Sequence, residues 1–274
     1  MRDLFDLSGK RAIITGGAGL LGIQHARALL LKNCEVDLWD IDPKALRIAE
    51  STLEAEFFDS SITTTTIDIT SEEEVGSAVQ TYRDYFKSIN ILINNAALNP
   101  KFQKASSSSN SQFENYSLEI WNLEISVGLT GAMLCSKHIG TYMAGLGSGV
   151  IVNIASDLSV ISPDQRIYKL PGEEEHLQFK KPVSYSVIKT GLVGLTRFLS
   201  TYWVDNGIRA NTLSPGGVYD NQDPVFFQNL ISRIPMARMA EADEYIGAIQ
   251  FLCSDASVYM NGQNLVIDGG RSVW

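Results

Sequence analysis

Apolar, β-rich runs alternate with segments of helical period along almost the whole 274-residue chain. The apolar runs predict strands at residues 11–15, 35–40, 61–68, 89–94, 149–155, 209–213 and 264–268. Between them, a 3.6-residue period predicts helices at 20–32, 43–57, 71–86, 118–144, 183–203 and 241–253. Strands alternating with helices are joined by right-handed crossovers, so the strands lie parallel and helices cover both faces. The expectation is an α/β fold, a doubly wound seven-stranded parallel sheet in one domain spanning residues 1–274. No short internal repeat and no interdomain linker interrupts the pattern.

Two segments break the rhythm. Residues 98–117 contain the polar run Ser106-Ser107-Ser108-Ser109-Asn110-Ser111. Residues 159–182 contain Pro163, Pro171-Gly172, the acidic Glu173-Glu174-Glu175 and the basic Lys180-Lys181. Both follow the C-terminal ends of strands, where open α/β sheets bind ligands, and are expected as insertions over the active site. A disordered surface loop is the alternative for the serine run. The second segment carries Tyr168, Leu170, Leu177 and Phe179, which need something to pack against.

Candidate chemistry begins at the first turn. Thr15-Gly16-Gly17-Ala18-Gly19-Leu20-Leu21-Gly22 follows the first predicted strand and opens the first predicted helix. Glycines there let the backbone approach a pyrophosphate, and the helix N-terminus offers free N–H groups and a positive dipole end. A tight turn uses glycine for structural reasons too, but the place between strand and helix favours dinucleotide binding. Asp40 ends the second strand 18 positions after Gly22. A carboxylate there accepts hydrogen bonds from the adenosine ribose hydroxyls and repels a 2′-phosphate. No Arg or Lys lies in the turn or directly after Asp40, so NAD is favoured over NADP. Asp42, just before Pro43, suits a helix cap. Asp68 either reaches the adenine edge or fixes a turn.

Further along, Tyr185 and Lys189 stand four residues apart, on one face of a predicted helix. An ammonium beside a phenol favours the phenolate, so Tyr185 would exchange a proton nearer neutrality than its ordinary value of about 10. Moving a proton at an alcohol oxygen while a hydride moves at the adjoining carbon requires such a group. The same spacing also describes a solvated helix face.

With these elements in order, the chain resembles the short-chain dehydrogenase/reductase family over essentially its full length. The matching pieces are the 15–22 turn, Asn94-Asn95-Ala96, Ser156, Tyr185 and Lys189, Ser214-Pro215-Gly216-Gly217, and Gly262-Gln263 with Asp268-Gly269-Gly270. The resemblance implies a Rossmann fold in which Tyr185 is the general acid/base and Ser156 fixes the substrate oxygen. Lys189 would lower the tyrosine's pKa and hold the nicotinamide ribose. It implies NAD contacts from Thr15, Gly16, Gly19, Leu20, Leu21 and Gly22 in the first turn, and from Asp40, Asp68 and Ile69 at the adenosine end. Asn95, Ala96, Ala97, Tyr185, Lys189, Pro215, Gly216 and Val218 would complete the site. It also implies a homodimer or homotetramer, assembled through the 118–144 and 183–203 helices and the C-terminal segment. Met133, Phe198 and Trp203 read as core or interface residues.

The chain departs from the family pattern in several places. Its Thr-Gly-x-x-Gly-x-x-Gly spacing is similar to the sugar-nucleotide epimerase branch, with Leu20 where the shorter branch has glycine. Ala97 replaces the glycine of Asn-Asn-Ala-Gly. In Val127-Gly128-Leu129-Thr130-Gly131, Gly128 replaces an asparagine that helps hold a relay water for the lysine, so the proton route must run otherwise. Ser156 and Tyr185 are 29 residues apart, well beyond the usual separation. Together with Gly216-Gly217-Val218-Tyr219-Asp220-Asn221-Gln222 and Asn261-Gly262-Gln263-Asn264, this insertion is similar to the flagellin modification protein A subgroup. That subgroup implies an oxidoreductase of bacterial surface-sugar synthesis, including legionaminic-acid-type nonulosonic acids.

The expected activity is thus NAD-dependent interconversion of a secondary alcohol and a ketone on a sugar or sugar phosphate. Arg166, Lys169, Lys180 and Lys181 either meet a phosphate or are solvated charge beside the glutamates. The alternatives are a 3-oxoacyl-carrier-protein or small-ketone reductase, and a non-catalytic NAD(H) sensor.

Composition narrows the partners. A net charge of −9 argues against nucleic acid or an anionic membrane surface, which need a basic face. No signal peptide is apparent, and no apolar run approaches the roughly 20 residues that cross a bilayer, so a cytoplasmic protein is expected. Cys34, Cys135 and Cys253 lack metal-ligand spacing and read as buried thiols in a reducing compartment. His25, His138 and His176 are scattered, and no metal is assigned.

Overall fold

Successive side chains of the buried strands point to opposite faces of the sheet, and each face is covered by its own set of helices. The computed structural model describes residues 3–85, 88–98, 111–172, 174 and 178–274. The strands are β1 (Arg11–Thr15), β2 (Glu35–Asp40), β3 (Ile62–Thr66), β4 (Ile91–Asn94), β5 (Gly149–Ile154), β6 (Ile208–Pro215) and β7 (Asn264–Ile267). They form one seven-stranded sheet in the order β3-β2-β1-β4-β5-β6-β7, with every pairing parallel. The helices are α1 (Leu20–Leu30), α2 (Pro43–Glu56), α3 (Glu72–Tyr85), α4 (Leu118–Ile125), α5 (Gly131–Leu146), α6 (Val183–Tyr202), α7 (Pro224–Ile231) and α8 (Ile246–Cys253).

Ala12, Ile14, Val36, Leu38, Ile91 and Ile93 point to one face, where α1, α2 and α8 pack through Leu29, Leu46 and Ile249. Ile13, Trp39, Leu92 and Ile151 point to the other, against Val79 of α3, Ile139 of α5 and Leu199 of α6. This is the doubly wound arrangement expected from the pattern. Asp37, in the period-two series of the second face, is buried there. Its carboxylate accepts from Trp39 Nε1 at 2.7 Å, from Thr65 Oγ1 at 2.9 Å and from the Tyr82 hydroxyl, in keeping with the need of a buried polar group for partners.

Differences from the sequence pattern have local causes. The expected 118–144 helix is two helices joined by a π-helical turn, Ser126–Thr130, centred on Gly128. The 241–253 helix opens as a 3-10 turn, Ala242–Tyr245, before α8. Helix α7 was not expected from periodicity. Its start is nonetheless written in Asp223-Pro224, where Asp223 Oδ1 accepts from Val225 N at 2.8 Å and from Phe226 N at 3.3 Å. Asp42 caps α2 in the same way. Cys34, Cys135 and Cys253 are buried and free, and burial pushes the Cys135 and Cys253 thiols up to about 12. Among the described residues no helix is long and apolar enough to cross a membrane.

Candidate active site

Strand order reverses between β1 and β4, and such a switch point opens a crevice at the C-terminal strand ends. A cavity of about 1090 Å³ lies there. Of the expected site residues, all but Thr15 and Gly22 line it. Those two shape it from behind. Thr15 Oγ1 accepts from Asn95 N at 3.0 Å and from Ala96 N at 3.1 Å. Asn95 Nδ2 in turn donates to the carbonyls of Thr15 and Gly16 at 3.1 and 3.0 Å, which fixes the turn against β4. Any side chain at Gly22 would overlap the Gly16 carbonyl oxygen, so glycine is what lets α1 pack onto its own turn.

The turn fits a pyrophosphate. Gly19 caps α1 without a side-chain hydrogen bond, and Leu20 and Leu21 of the first helical turn line the cavity. The N–H groups of a first turn with no side-chain cap are anion donors. At the end of β2 the Asp40 carboxylate is oriented by two backbone amides, Ala18 N on Oδ2 and Asp42 N on Oδ1, each at 3.2 Å. Around it lie Trp39, Ile41 and Asp68; the basic lining residues, Lys181, Lys189 and Arg271, belong to the Tyr185 end. Asp68 also fixes its own turn, accepting from Thr70 N at 2.9 Å and Thr70 Oγ1 at 2.7 Å.

At that other end Ser156, Tyr185 and Lys189 come together. The electrostatics differ from the expectation that Lys189 by itself draws the phenol toward phenolate. Burial pushes Tyr185 up, while the Ser156 hydroxyl pulls it down, Asp157 raises it and Arg271 lowers it. Lys189 Nζ donates to the Ile154 carbonyl at 2.8 Å and lies 5.6 Å from the Tyr185 ring centroid. Burial, with a smaller push from Lys181, brings its ammonium down to about 8. Desolvation works against both members of the pair.

Asp157 and Arg271 were not anticipated. Asp157 Oδ1 accepts from Ser156 Oγ at 2.8 Å, and Oδ2 accepts from Arg271 Nη1 at 2.7 Å. Nothing in spacing joins residues that far apart in the chain. Gly128 is buried with Ile188 in the space a side chain would take: a Cβ there would lie 2.8 Å from Ile188 Cγ2.

The described part of the 159–182 segment walls the cavity; Glu173, Glu175, His176 and Leu177 lie outside the described residues. Ile167, Tyr168 and Phe179 form a small core with Leu230, Ile234 and Met239, and Tyr168 stacks on Phe226 of α7 at 5.2 Å. Of the four basic residues suggested for phosphate contact, only Lys181 lines the cavity. Arg166 is exposed and paired in two bonds with Asp164. In the serine segment, residues 99–110 lie outside the described residues, and Ser111 accepts from Lys180 N at 2.9 Å.

Fold and site together define a dinucleotide-binding α/β oxidoreductase. The short chain dehydrogenase family model matches residues 10–168, and a second, described as enoyl-(acyl carrier protein) reductase, matches 174–272. The protein belongs to the short-chain dehydrogenase/reductase family. It is 30% identical to gluconate 5-dehydrogenase of Gluconobacter oxydans (strain 621H), over 99% of this chain and 98% of that protein. It is 26% identical to post-translational flagellin modification protein A of Campylobacter coli, over 96% and 98%. Among solved structures, a gluconate 5-dehydrogenase from Burkholderia cenocepacia J2315 in complex with NADP and tartrate superposes with a TM-score of 0.85 at 25% identity, covering 99% and 98%. A short-chain dehydrogenase from Leptospira borgpetersenii with bound NAD+ gives 0.81 at 29% identity, covering 99% and 96%.

Proposed function

We propose that the protein is an NAD-dependent oxidoreductase interconverting a secondary alcohol and a ketone on a sugar or sugar phosphate, of the kind used in bacterial surface-glycan synthesis. The observation that carries the cofactor choice is Asp40, aimed by two amides at the ribose end of the cavity. A carboxylate there repels a 2′-phosphate. Support for a sugar comes from the relatives that act on polyhydroxy acids and from the long wall over the cavity. Bound NAD supplies the hydride acceptor.

The chain's own residues handle the proton. In oxidation the Tyr185 phenolate takes the alcohol proton as the C–H bond gives up its hydride, and in reduction the phenol returns it to the ketone oxygen. Ser156 holds that oxygen, and Lys189 holds the nicotinamide ribose. Asn95 and the turn through Gly16, Gly19, Leu20 and Leu21 hold the rest of the dinucleotide. Ala96, Ala97, Pro215, Gly216 and Val218 surround the nicotinamide, and Asp68 and Ile69 the adenine. A second copy of the chain covers the outer faces of α5 and α6, where Met133 and the stacked Phe198 and Tyr202 are exposed.

Fluorescence titration with NADH and NADPH, followed by oxidation assays on polyols, aldonates and sugar phosphates, tests this reading. An acyl thioester panel and Tyr185→Phe serve as controls. Tighter binding of NADPH, or wild type and Tyr185→Phe reacting equally slowly on every sugar, overturns it. Turnover confined to the acyl thioesters supports the carrier-protein alternative instead.

A further inference from the structure

Lys181, Tyr185 and Lys189 are spaced four apart in the chain, but only Tyr185 and Lys189 lie on α6; Lys181 reaches the same tyrosine from the segment before the helix. Lys181 precedes Pro182, the residue at the N-cap of α6, and its backbone is fixed. Its N–H donates to Gln165 Oε1 at 2.8 Å, and its carbonyl accepts from Gln165 Nε2 at 3.2 Å. The 159–182 segment thereby delivers this side chain to a set place in the cavity wall. Its Nζ lies 3.7 Å from the centroid of the Tyr185 ring, closer than Lys189 Nζ.

We propose that Lys181 is a positioning residue for Tyr185, its ammonium lying over the ring and stabilising the phenolate from the segment that precedes α6. This rests on the reading of Tyr185 as the acid/base group. A cation over an aromatic face is attracted by the ring's quadrupole, and the attraction grows when the ring gains a full negative charge. Water exclusion strengthens both effects.

Facing Tyr185 are Ser156 and Arg271, which favour the phenolate, and Asp157, which opposes it. Tyr168 of the wall is also coupled to it. Burial brings Lys181 down to about 8, Asp157 and Glu124 of α4 pull it up, and Arg271 pulls it down. The ammonium is thus present at neutral pH and is lost as pH rises through about 8.

The test uses full-length Lys181→Met, Lys181→Gln and Lys181→Arg. Tyrosine labelled with 13C at Cζ is titrated by NMR, alone and with NAD+, and the Tyr185 signal is assigned by its loss in Tyr185→Phe. In the Met and Gln variants the Tyr185 midpoint is expected to rise by about one pH unit or more, and in the Arg variant to stay near wild type. With a neutral polyol, kcat at pH 7 is expected to fall about tenfold in Met and Gln and recover at higher pH, with KM little changed. An unmoved Tyr185 midpoint in either folded variant overturns the proposal. So does a rise in KM confined to anionic substrates with kcat unchanged, which would make Lys181 a substrate contact. Wild type inactive on every alcohol would remove the functional reading while leaving the NMR shift to be judged by itself.

Discussion

Arg271 Nη1 donates to Asp157 Oδ2 at 2.7 Å, and both side chains are buried beside Ser156. The pair ties the segment after β7 to the turn after β5, so the turn after β7 helps hold Ser156 in place. Removing one partner leaves the other charge buried and uncompensated, which costs about 3–5 kcal/mol. Arg271→Met is expected to lower the unfolding free energy by about that amount. The double variant with Asp157→Asn should lose much less than the sum of the singles. Urea denaturation at a fixed protein concentration measures both, and strict additivity would contradict the coupling.

Gly128 stands against Ile188, with no room for a side chain. Restoring the family's asparagine by Gly128→Asn is therefore expected to destabilise the fold by about 1–3 kcal/mol through overpacking. Ile188→Ala, which removes the Cγ2 that the new side chain would meet, should cost less in the Gly128→Asn chain than in wild type. A Gly128→Asn variant as stable as wild type would show that the site yields more easily than its packing implies.

His25 of α1 is fully buried, neither ring nitrogen has a hydrogen-bond partner, and burial pushes it down to about 3 against a smaller upward pull from Asn95. The unfolded chain takes up the proton near the ordinary imidazole value of about 6.5, and the folded chain does not until about 3. Stability from this site is therefore complete above about 6.5 and declines as pH falls toward 3. Between pH 7.5 and 5.5 the loss is about 1.4 kcal/mol for one proton. His25→Leu should remove that part of the slope and relieve the unpaired nitrogens. Urea midpoints at the two pH values decide it; parallel slopes in wild type and variant would count against the assignment.

Asp40→Ala removes the carboxylate proposed to receive the ribose hydroxyls. Hydrogen bonds to a charged group contribute about 1.5–3 kcal/mol, so NADH affinity should fall about 10- to 100-fold. NADPH should bind no worse than before, because the repulsion of a 2′-phosphate goes with the carboxylate. Loss of the same size for both cofactors would assign Asp40 to the architecture of the turn alone.

The sheet and the cofactor half were legible because they follow short-range rules. The short, continuously buried runs of β1, β2 and β4 and the glycine turn before α1 are local signals, and each element sits where its own residues direct it. The catalytic end was legible only in part. Tyr185 and Lys189 share one helix, whereas Asp157 and Arg271 meet through the fold of the whole sheet. Helix α7 is eight residues long, too short for its period to stand out, though the Asp223-Pro224 start was readable. In the sequence, the effect of Lys189 on Tyr185 rests on spacing alone, which carries no information about desolvation. Burial proved the larger influence on both groups.

The small cluster of Ile167, Tyr168, Phe179, Leu230, Ile234 and Met239 is separate from the two cores that hold the sheet together. The protein therefore divides its inheritance in two. One part, built into the strands, preserves how a dinucleotide is gripped. The other, half a dozen side chains deep, packs apart from the strands, so its shape can change without disturbing the first.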